Sequence, residues 1–344
     1  MTLYRYIQRL SLPAVSVIVI AVAAGGAFSQ TPVLSSTGEL APIVKTLREG
    51  RNPQVLEYLK QTVKDNKLNA EAWYFLGIAY LQHNDSRKAS SAFDRAKELQ
   101  PDLAASIRAQ LAYVQVLRNK LKVALAEVTK ALEIDPNNID ALYTMAALNL
   151  RNGDRDEAIK NADAIIALKP DLAEAYLLRS MVLLGFKRSV VSIQDENKER
   201  PPRYQAAAEA LERYLSLTNE KRAAEAWQEQ LESLKFYAAQ EALQAGLREF
   251  YLSSEVSTRF RVIYKPEPTF TDAARAEQVA GTVVLRCVFA ADGTIQRVLV
   301  LQSLTHGLTE ASISALRRVK FEPATINGKQ VSSFAQLEYN FELY

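Results

Sequence analysis

The 344-residue chain has a single cysteine, Cys287, and two histidines, His83 and His306, that lie far apart in sequence. One thiol excludes an intramolecular disulfide, and no His or Cys pair stands at a metal-ligand spacing, so no metal is expected. The net charge of +3 is small for this length. No clustered basic face offers the footprint that nucleic acid requires. The chain also lacks a Gly-rich phosphate loop, a G-x-S-x-G elbow and an H-E-x-x-H helix. Its Asp and Glu residues are scattered over expected solvated faces and do not converge. No catalytic residue and no cofactor are therefore expected. The 12 prolines never gather into an extended spacer. What remains is a globular composition, 48% apolar and 24% charged, in a chain long enough for two ordinary domains.

Long apolar runs are scarce too, with one exception. Arg5 and Arg9 precede an uncharged stretch from Leu10 to Phe28, densest over Ala14–Ala24, and Ala27-Phe28-Ser29 has the small-residue character of a cleavage site. Residues 1–29 thus read as a secretory signal peptide. The alternative is an uncleaved anchor, because the stretch approaches the ~20 residues that span a bilayer, with its N-terminal arginines on the cytoplasmic side. Both readings export residues 31–344, giving a periplasmic protein or a single-pass inner-membrane protein that faces the periplasm. Membrane contact is expected only through residues 10–28, and only if they are retained.

The middle of the chain repeats. With Ala70 as position 1, Trp73, Leu76, Gly77, Tyr80, Ala89, Phe93, Ala96 and Pro101 occupy positions 4, 7, 8, 11, 20, 24, 27 and 32. The spacing predicts a helix over about 71–82 with Trp73, Leu76 and Tyr80 on one stripe. A second helix over about 87–99 answers with Ala89, Phe93 and Ala96. Gly77 omits a side chain where the two approach, Asn84-Asp85-Ser86 provides a turn and a cap, and Pro101 closes the unit. Prolines recur at Pro136 and Pro170, and Asn152-Gly153-Asp154 forms another inter-helix turn. A fourth unit starts near Ala173, interrupted by a polar insert at about 186–203. Asn52-Pro53 opens a helix in a worn upstream unit, and a helical segment at about 221–251 closes the array. The pattern resembles the tetratricopeptide (TPR) repeat. That resemblance implies a solenoid over 39–252 whose concave side binds peptides or partner helices. By repeat position the lining would include Tyr74, Ile78, Tyr113, Val116, Tyr143, Ala147, Leu177 and Met181. These side chains are apolar and aromatic, so packing inside the array is an equal alternative for any one of them.

Residues 253–261 read as a linker, after which the period changes from 3.6 to 2. Gly281–Ala290 reads as a strand, Asp292-Gly293 as a hairpin turn, and Ile295–Gln302 as its partner. A helix at about 308–319 follows, then a turn at Asn327-Gly328. In the last strand, Ser333–Leu343, Ala335, Leu337, Tyr339, Phe341 and Leu343 alternate with Gln336, Glu338, Asn340 and Glu342, which gives one buried and one solvated face. Cys287, in mid-strand, reads as a buried inert thiol, and His83 and His306 as turn residues. Tyr264-Lys-Pro266, Ala274-Arg275, Gly281–Val284, Asp292-Gly293, Phe321–Ala324, Asn327–Lys329 and Tyr339–Phe341 together resemble the TonB C-terminal domain family, over residues 262–344. The resemblance implies a small α+β domain, a three-stranded antiparallel sheet with two helices on one face, the first at about Asp272–Gln278. The whole chain is then an all-α solenoid followed by an α+β domain.

The family's best-known member couples an inner-membrane motor to outer-membrane receptors by capturing an extended receptor segment beside its last strand. Carried over, the capturing edge is Ser333, Phe334, Ala335, Gln336, Leu337, Glu338, Tyr339 and Asn340. The alternative is an inert edge guarded by Glu338 and Glu342. Three functions stay open: an envelope adaptor with protein partners, such as an outer-membrane receptor segment; a membrane-anchored energy transducer; and an assembly scaffold acting through the helical array.

Overall fold

The computed structural model describes residues 52–184 and 203–343, less a few turn and loop positions, with isolated residues between 40 and 47. The expected signal segment and nearly all of the polar insert lie outside the described residues. The described chain forms two compact units, divided in sequence near residue 220, with the short stretch 276–279 grouped with the first.

The helical unit contains α1 (Pro53–Asp65), α2 (Ala70–Gln82), α3 (Ser86–Leu99), α4 (Ala104–Leu117), α5 (Leu121–Ile134), α6 (Ile139–Asn152), α7 (Arg155–Leu168), α8 (Ala173–Leu184) and α9 (Tyr204–Leu217). Several start for a clear local reason. Asn52 accepts from the backbone N–H groups of Gln54 and Val55, ahead of Pro53 in the first turn. Asn69, Asp85 and Asn138 cap α2, α3 and α6 in the same way through Ala72, Lys88 and Ala141. Gly153 takes the left-handed conformation (φ 84°) that ends α6. Helices pair as α2 with α3, α4 with α5, α6 with α7, and α8 with α9, and successive pairs stack. Alanines make the crossings close: Ala109, Ala112, Ala124, Ala131 and Ala141 share one buried cluster with Val116, Val128 and Leu148.

Gly77 shows the constraint most sharply. A β-carbon there would stand 2.6 to 2.8 Å from three atoms of the Phe93 ring. Phe93 is fully buried and meets the Tyr74 ring edge-on at 5.7 Å, so it has no room to yield.

The C-terminal unit opens with α10 (Lys221–Glu241), followed by β1 (Arg261–Tyr264), α11 (Asp272–Ala276), β2 (Gly281–Phe289), β3 (Ile295–Gln302), α12 (Leu308–Leu316), β4 (Lys320–Glu322), β5 (Ala324–Ile326), β6 (Lys329–Val331) and β7 (Ser333–Phe341). The main sheet is antiparallel with order β3-β2-β7. β1 pairs with β4, and β5 with β6. The two expected turns take the required left-handed residues, Gly293 (φ 82°) and Asn327-Gly328 (φ 50° and 80°). α12 packs on β2. Cys287 is fully buried, and burial pushes its thiol well above the ordinary range. His83 ends α2, with Nδ1 2.8 Å from the Ala79 carbonyl oxygen. His306 sits in a turn at φ 60°, its carbonyl accepting from the Thr271 hydroxyl.

Three expectations differ from this arrangement. The closing helix ends at Glu241 and packs on β3, within the C-terminal unit. The linker is held to that unit: Ser257 and Thr258 donate to the Thr325 carbonyl, and Thr325 donates back to Thr258. Leu343 is 45% exposed, because β7 ends at Phe341 and the alternation has no sheet left to impose it.

Gly77→Ala is expected to lower stability by about 1–3 kcal/mol, the usual cost of over-packing, even though alanine favours helices. Urea melts should show it, with partial recovery when Phe93→Leu is added.

Candidate interaction edge

The main sheet has two outer strands, β3 and β7, and each presents a row of backbone groups that must be satisfied. The middle of the β3 row is covered. A bulge occurs between the pairs Arg286–Leu299 and Val288–Gln296, and Arg297 sits there at φ 54°. α10 lies along it. Gln230 Nε2 and Ser233 Oγ donate to the Val298 carbonyl at 3.3 and 3.2 Å, and Tyr237 OH donates to the Arg297 carbonyl at 2.9 Å. Gln230 Oε1 accepts from the Val300 N–H at 3.0 Å. The Arg297 guanidinium covers the Phe236 ring at 4.6 Å, and Arg317 pairs with Glu229. Helix side chains thus take the place of a neighbouring strand.

The β7 row is mostly open. Residues alternate in the direction of their N–H and C=O groups along a strand. Phe334 N–H points away from β2, because it donates to the Tyr251 carbonyl at 3.0 Å. Gln336, Glu338 and Asn340 therefore point outward as well. The Tyr251 N–H also donates to the Ser332 carbonyl, forming an isolated parallel bridge beside Ser333. Beyond that bridge one outward group is engaged among the described residues: the Glu338 carbonyl accepts from Lys265 Nζ at 2.7 Å. Of the expected capturing residues, Ser333, Ala335, Leu337 and Tyr339 direct their backbone groups at β2, with partners Phe289, Cys287, Leu285 and Val283. The usable row consists of Phe334 C=O, Gln336, the Glu338 N–H and Asn340.

Side chains firm this edge from both faces. Ala335, Leu337, Tyr339 and Phe341 are buried, whereas Glu338 and Asn340 are exposed. Phe334 breaks the expected alternation: it is buried because Tyr237 and Phe250 cover that end, with ring centroids at 6.4 and 5.8 Å. Arg286, buried in the central strand, stands over Phe334 at 4.9 Å and donates to Gln336 Oε1. Thr282 donates to Asn340 Oδ1.

In the helical unit, the expected concave lining is not an open surface. Tyr74, Ile78, Tyr113, Val116, Tyr143 and Leu177 are buried, and Ala147 and Met181 half-buried. They lie with polar groups that sequence reasoning missed. Asp140 is buried and accepts from Gln110 Nε2 at 3.1 Å. Burial pushes its carboxyl up to about 6, against the lowering effect of the Gln110 amide. Desolvation also raises the phenols of Tyr74, Tyr113 and Tyr143, the first helped by the nearby Asp140 charge. Asp140 stands two residues past the Asn138 cap of α6, and that position reads as an ordinary solvated first-turn acid.

Family models match both units. The tetratricopeptide repeat model matches residues 46–111 and 116–182, and the Gram-negative bacterial TonB protein C-terminal model matches residues 266–343. Tetratricopeptide repeats and a TonB C-terminal domain stand in one chain. Both are protein-interaction folds without catalytic machinery of their own. Among curated relatives, the NrfG subunit of the formate-dependent nitrite reductase complex of Escherichia coli O157:H7 is 27% identical over 135 residues, covering 38% of this chain and 68% of the relative. The bifunctional subunit NrfFG of the same complex in Haemophilus influenzae is 30% identical over 113 residues, covering 32% of this chain and 29% of the relative. The chain thus spans under a third of the second relative. Among solved structures, MamA covers 52% of this chain and 94% of its own at 16% identity and a TM-score of 0.37. YrrB, titled a TPR protein with an unusual peptide-binding site, covers 51% and 82% at 19% identity and a TM-score of 0.33. No described helix is long and apolar enough to cross a membrane.

The raised Asp140 carboxyl makes a pH prediction. Its folded value of about 6 exceeds the unfolded value near 3.9. Between these the folded state holds more protons, so stability falls as pH rises through the window, and the cost is constant above it. Asp140→Asn removes the charge, and its amide can donate to Gln110 Oε1, a buried acceptor with no partner among the described residues. The variant should gain on the order of 2–3 kcal/mol at pH 8 and almost nothing at pH 3.5, as read by denaturant midpoints at the two pH values.

Proposed function

We propose that the chain is an exported envelope adaptor whose C-terminal unit captures an extended segment of a partner protein along β7. The observation that carries this reading is the contrast between the two sheet edges. Four hydrogen bonds with side chains of α10, together with a bulge, cover the middle of β3, while the middle of β7 faces solvent with its backbone groups in register for a further strand. A natural sheet seldom leaves a long edge bare without a use for it, and strand addition takes its affinity from such main-chain groups. The TonB-type match supports an envelope location and an outer-membrane receptor segment as the partner. The relatives NrfG and NrfFG, named as parts of an enzyme complex, support the wider idea of a subunit that works by association.

The helical array is a second surface in this proposal. With its position-matched aromatic residues buried, an array ligand would bind to the remaining outer faces or by displacing what covers Tyr74 and Tyr113. An energy transducer anchored through residues 10–28 is the second reading, favoured by the TonB-type match over residues 266–343. A mature N-terminus near Gln30, found by sequencing the exported protein, would exclude it.

Glu338→Pro tests the edge. The Glu338 N–H points outward and its side chain has no hydrogen-bond partner among the described residues, so proline removes one open donor and leaves the β2–β7 ladder whole. Cross-linking from the edge in cells should lose its partner protein at least tenfold, with the melting temperature of the full chain within about 3 °C of the unsubstituted protein. Undiminished cross-linking would count against edge capture.

A further inference from the structure

We propose that Lys265 is a displaceable latch on the β7 edge, and that it selects partner segments carrying a carboxylate opposite Glu338. The inference rests on the edge-capture reading and adds the chemistry of the captured segment. Two elements of the C-terminal unit already touch the outward row. Tyr251 holds the Phe334 end through two backbone bonds. Lys265 holds the Glu338 carbonyl through its ammonium at 2.7 Å, with the same ammonium 4.6 Å from the centre of the Tyr339 ring. The two contacts are unlike in strength. The Tyr251 bridge is made by main chain, next to the packed rings of Phe250 and Phe334. Lys265 is an exposed side chain reaching back from the end of β1, whose four residues are also exposed.

The Lys265 ammonium forms no ion pair with any described carboxylate. It places a positive charge on the first outward carbonyl that a visiting strand needs in order to pair past Gln336. A visiting backbone N–H takes that carbonyl and releases the ammonium. The released ammonium keeps the Tyr339 ring at its back and needs an acceptor in front. A carboxylate on the visiting strand, at or beside the residue facing Glu338, supplies it. A segment without one leaves the ammonium to water and gains nothing from the displacement. Lys265 is therefore both a guard against indiscriminate pairing, since an apolar strand that covers it must strip water from its ammonium, and the element that rewards an acidic one.

The test uses the full chain and two labelled peptides of nine residues, acetylated and amidated, alternating Val and Thr, with either Glu or Gln at the centre. Fluorescence anisotropy at low salt measures both affinities. The Glu peptide is expected to bind about three- to fivefold more tightly, the range of an exposed ion pair, and the preference should shrink as salt is raised. Lys265→Met keeps the stem and removes the charge. It should bring the ratio to near one and let the Gln peptide bind at least as well as to the unsubstituted chain, while Lys265→Arg keeps the preference. Equal affinities in the unsubstituted chain, or a preference that survives Lys265→Met, overturn the latch and leave edge capture standing. Failure of both peptides to bind any of the three proteins overturns edge capture, and the latch with it.

Discussion

A backbone N–H or C=O group at the border of a sheet must find a partner, and the C-terminal unit of this chain is organised by how that demand is met. On β3 the partners are side chains of α10: Gln230 serves both a carbonyl and an N–H, and Ser233 and Tyr237 each serve a carbonyl. On β7 the partners are one stretch of main chain at Tyr251, one ammonium at Lys265, and solvent. The same fold therefore has a covered border and a receptive one. The covered border also explains why α10 groups with the C-terminal unit, because Gln230, Ser233 and Tyr237 are spent on β3.

The helical unit obeys a different rule, the distance between helix axes. Gly77 against Phe93, and the run of alanines around Val128, bring paired helices to close range. Packing of that density leaves little freedom for hinge motion within a repeat. It also admits a buried polar layer, with Asp140 and Gln110 joined by a hydrogen bond between successive repeats. A carboxylate in that position costs stability at neutral pH, so the layer is kept despite its burial and not because of it.

Much of this is legible in the residues. The 34-residue period places the paired helices, and Gly77 marks the site of close approach. Asn52 and Asp85 announce their caps, and Asp292-Gly293 and Asn327-Gly328 their turns. The alternation from Ala335 to Phe341 gives the buried face of β7. The misses have physical causes. The stripe of Trp227, Leu231 and Leu234 says that a helix is amphipathic and nothing about which surface it meets. Tyr251 and Lys265 reach β7 from far back in the chain, Lys265 across 73 residues, as single backbone or side-chain contacts, and isolated long-range contacts leave no periodic trace. An aromatic residue such as Tyr74 or Tyr113 suits a groove and a core equally, so repeat position alone cannot tell the two apart. Phe334 stands on the expected solvated face because nothing in its own strand foretells the cover given by Tyr237 and Phe250.

The bulge at Arg297 has one more consequence, for crowding. A sheet that accepts neighbours on both sides can stack without limit, each copy extending the last. With the kinked, helix-covered side refusing any newcomer, two copies that meet through their free sides consume the only docking rows this sheet has. A pair formed through β7 would therefore close on itself instead of growing by further strands.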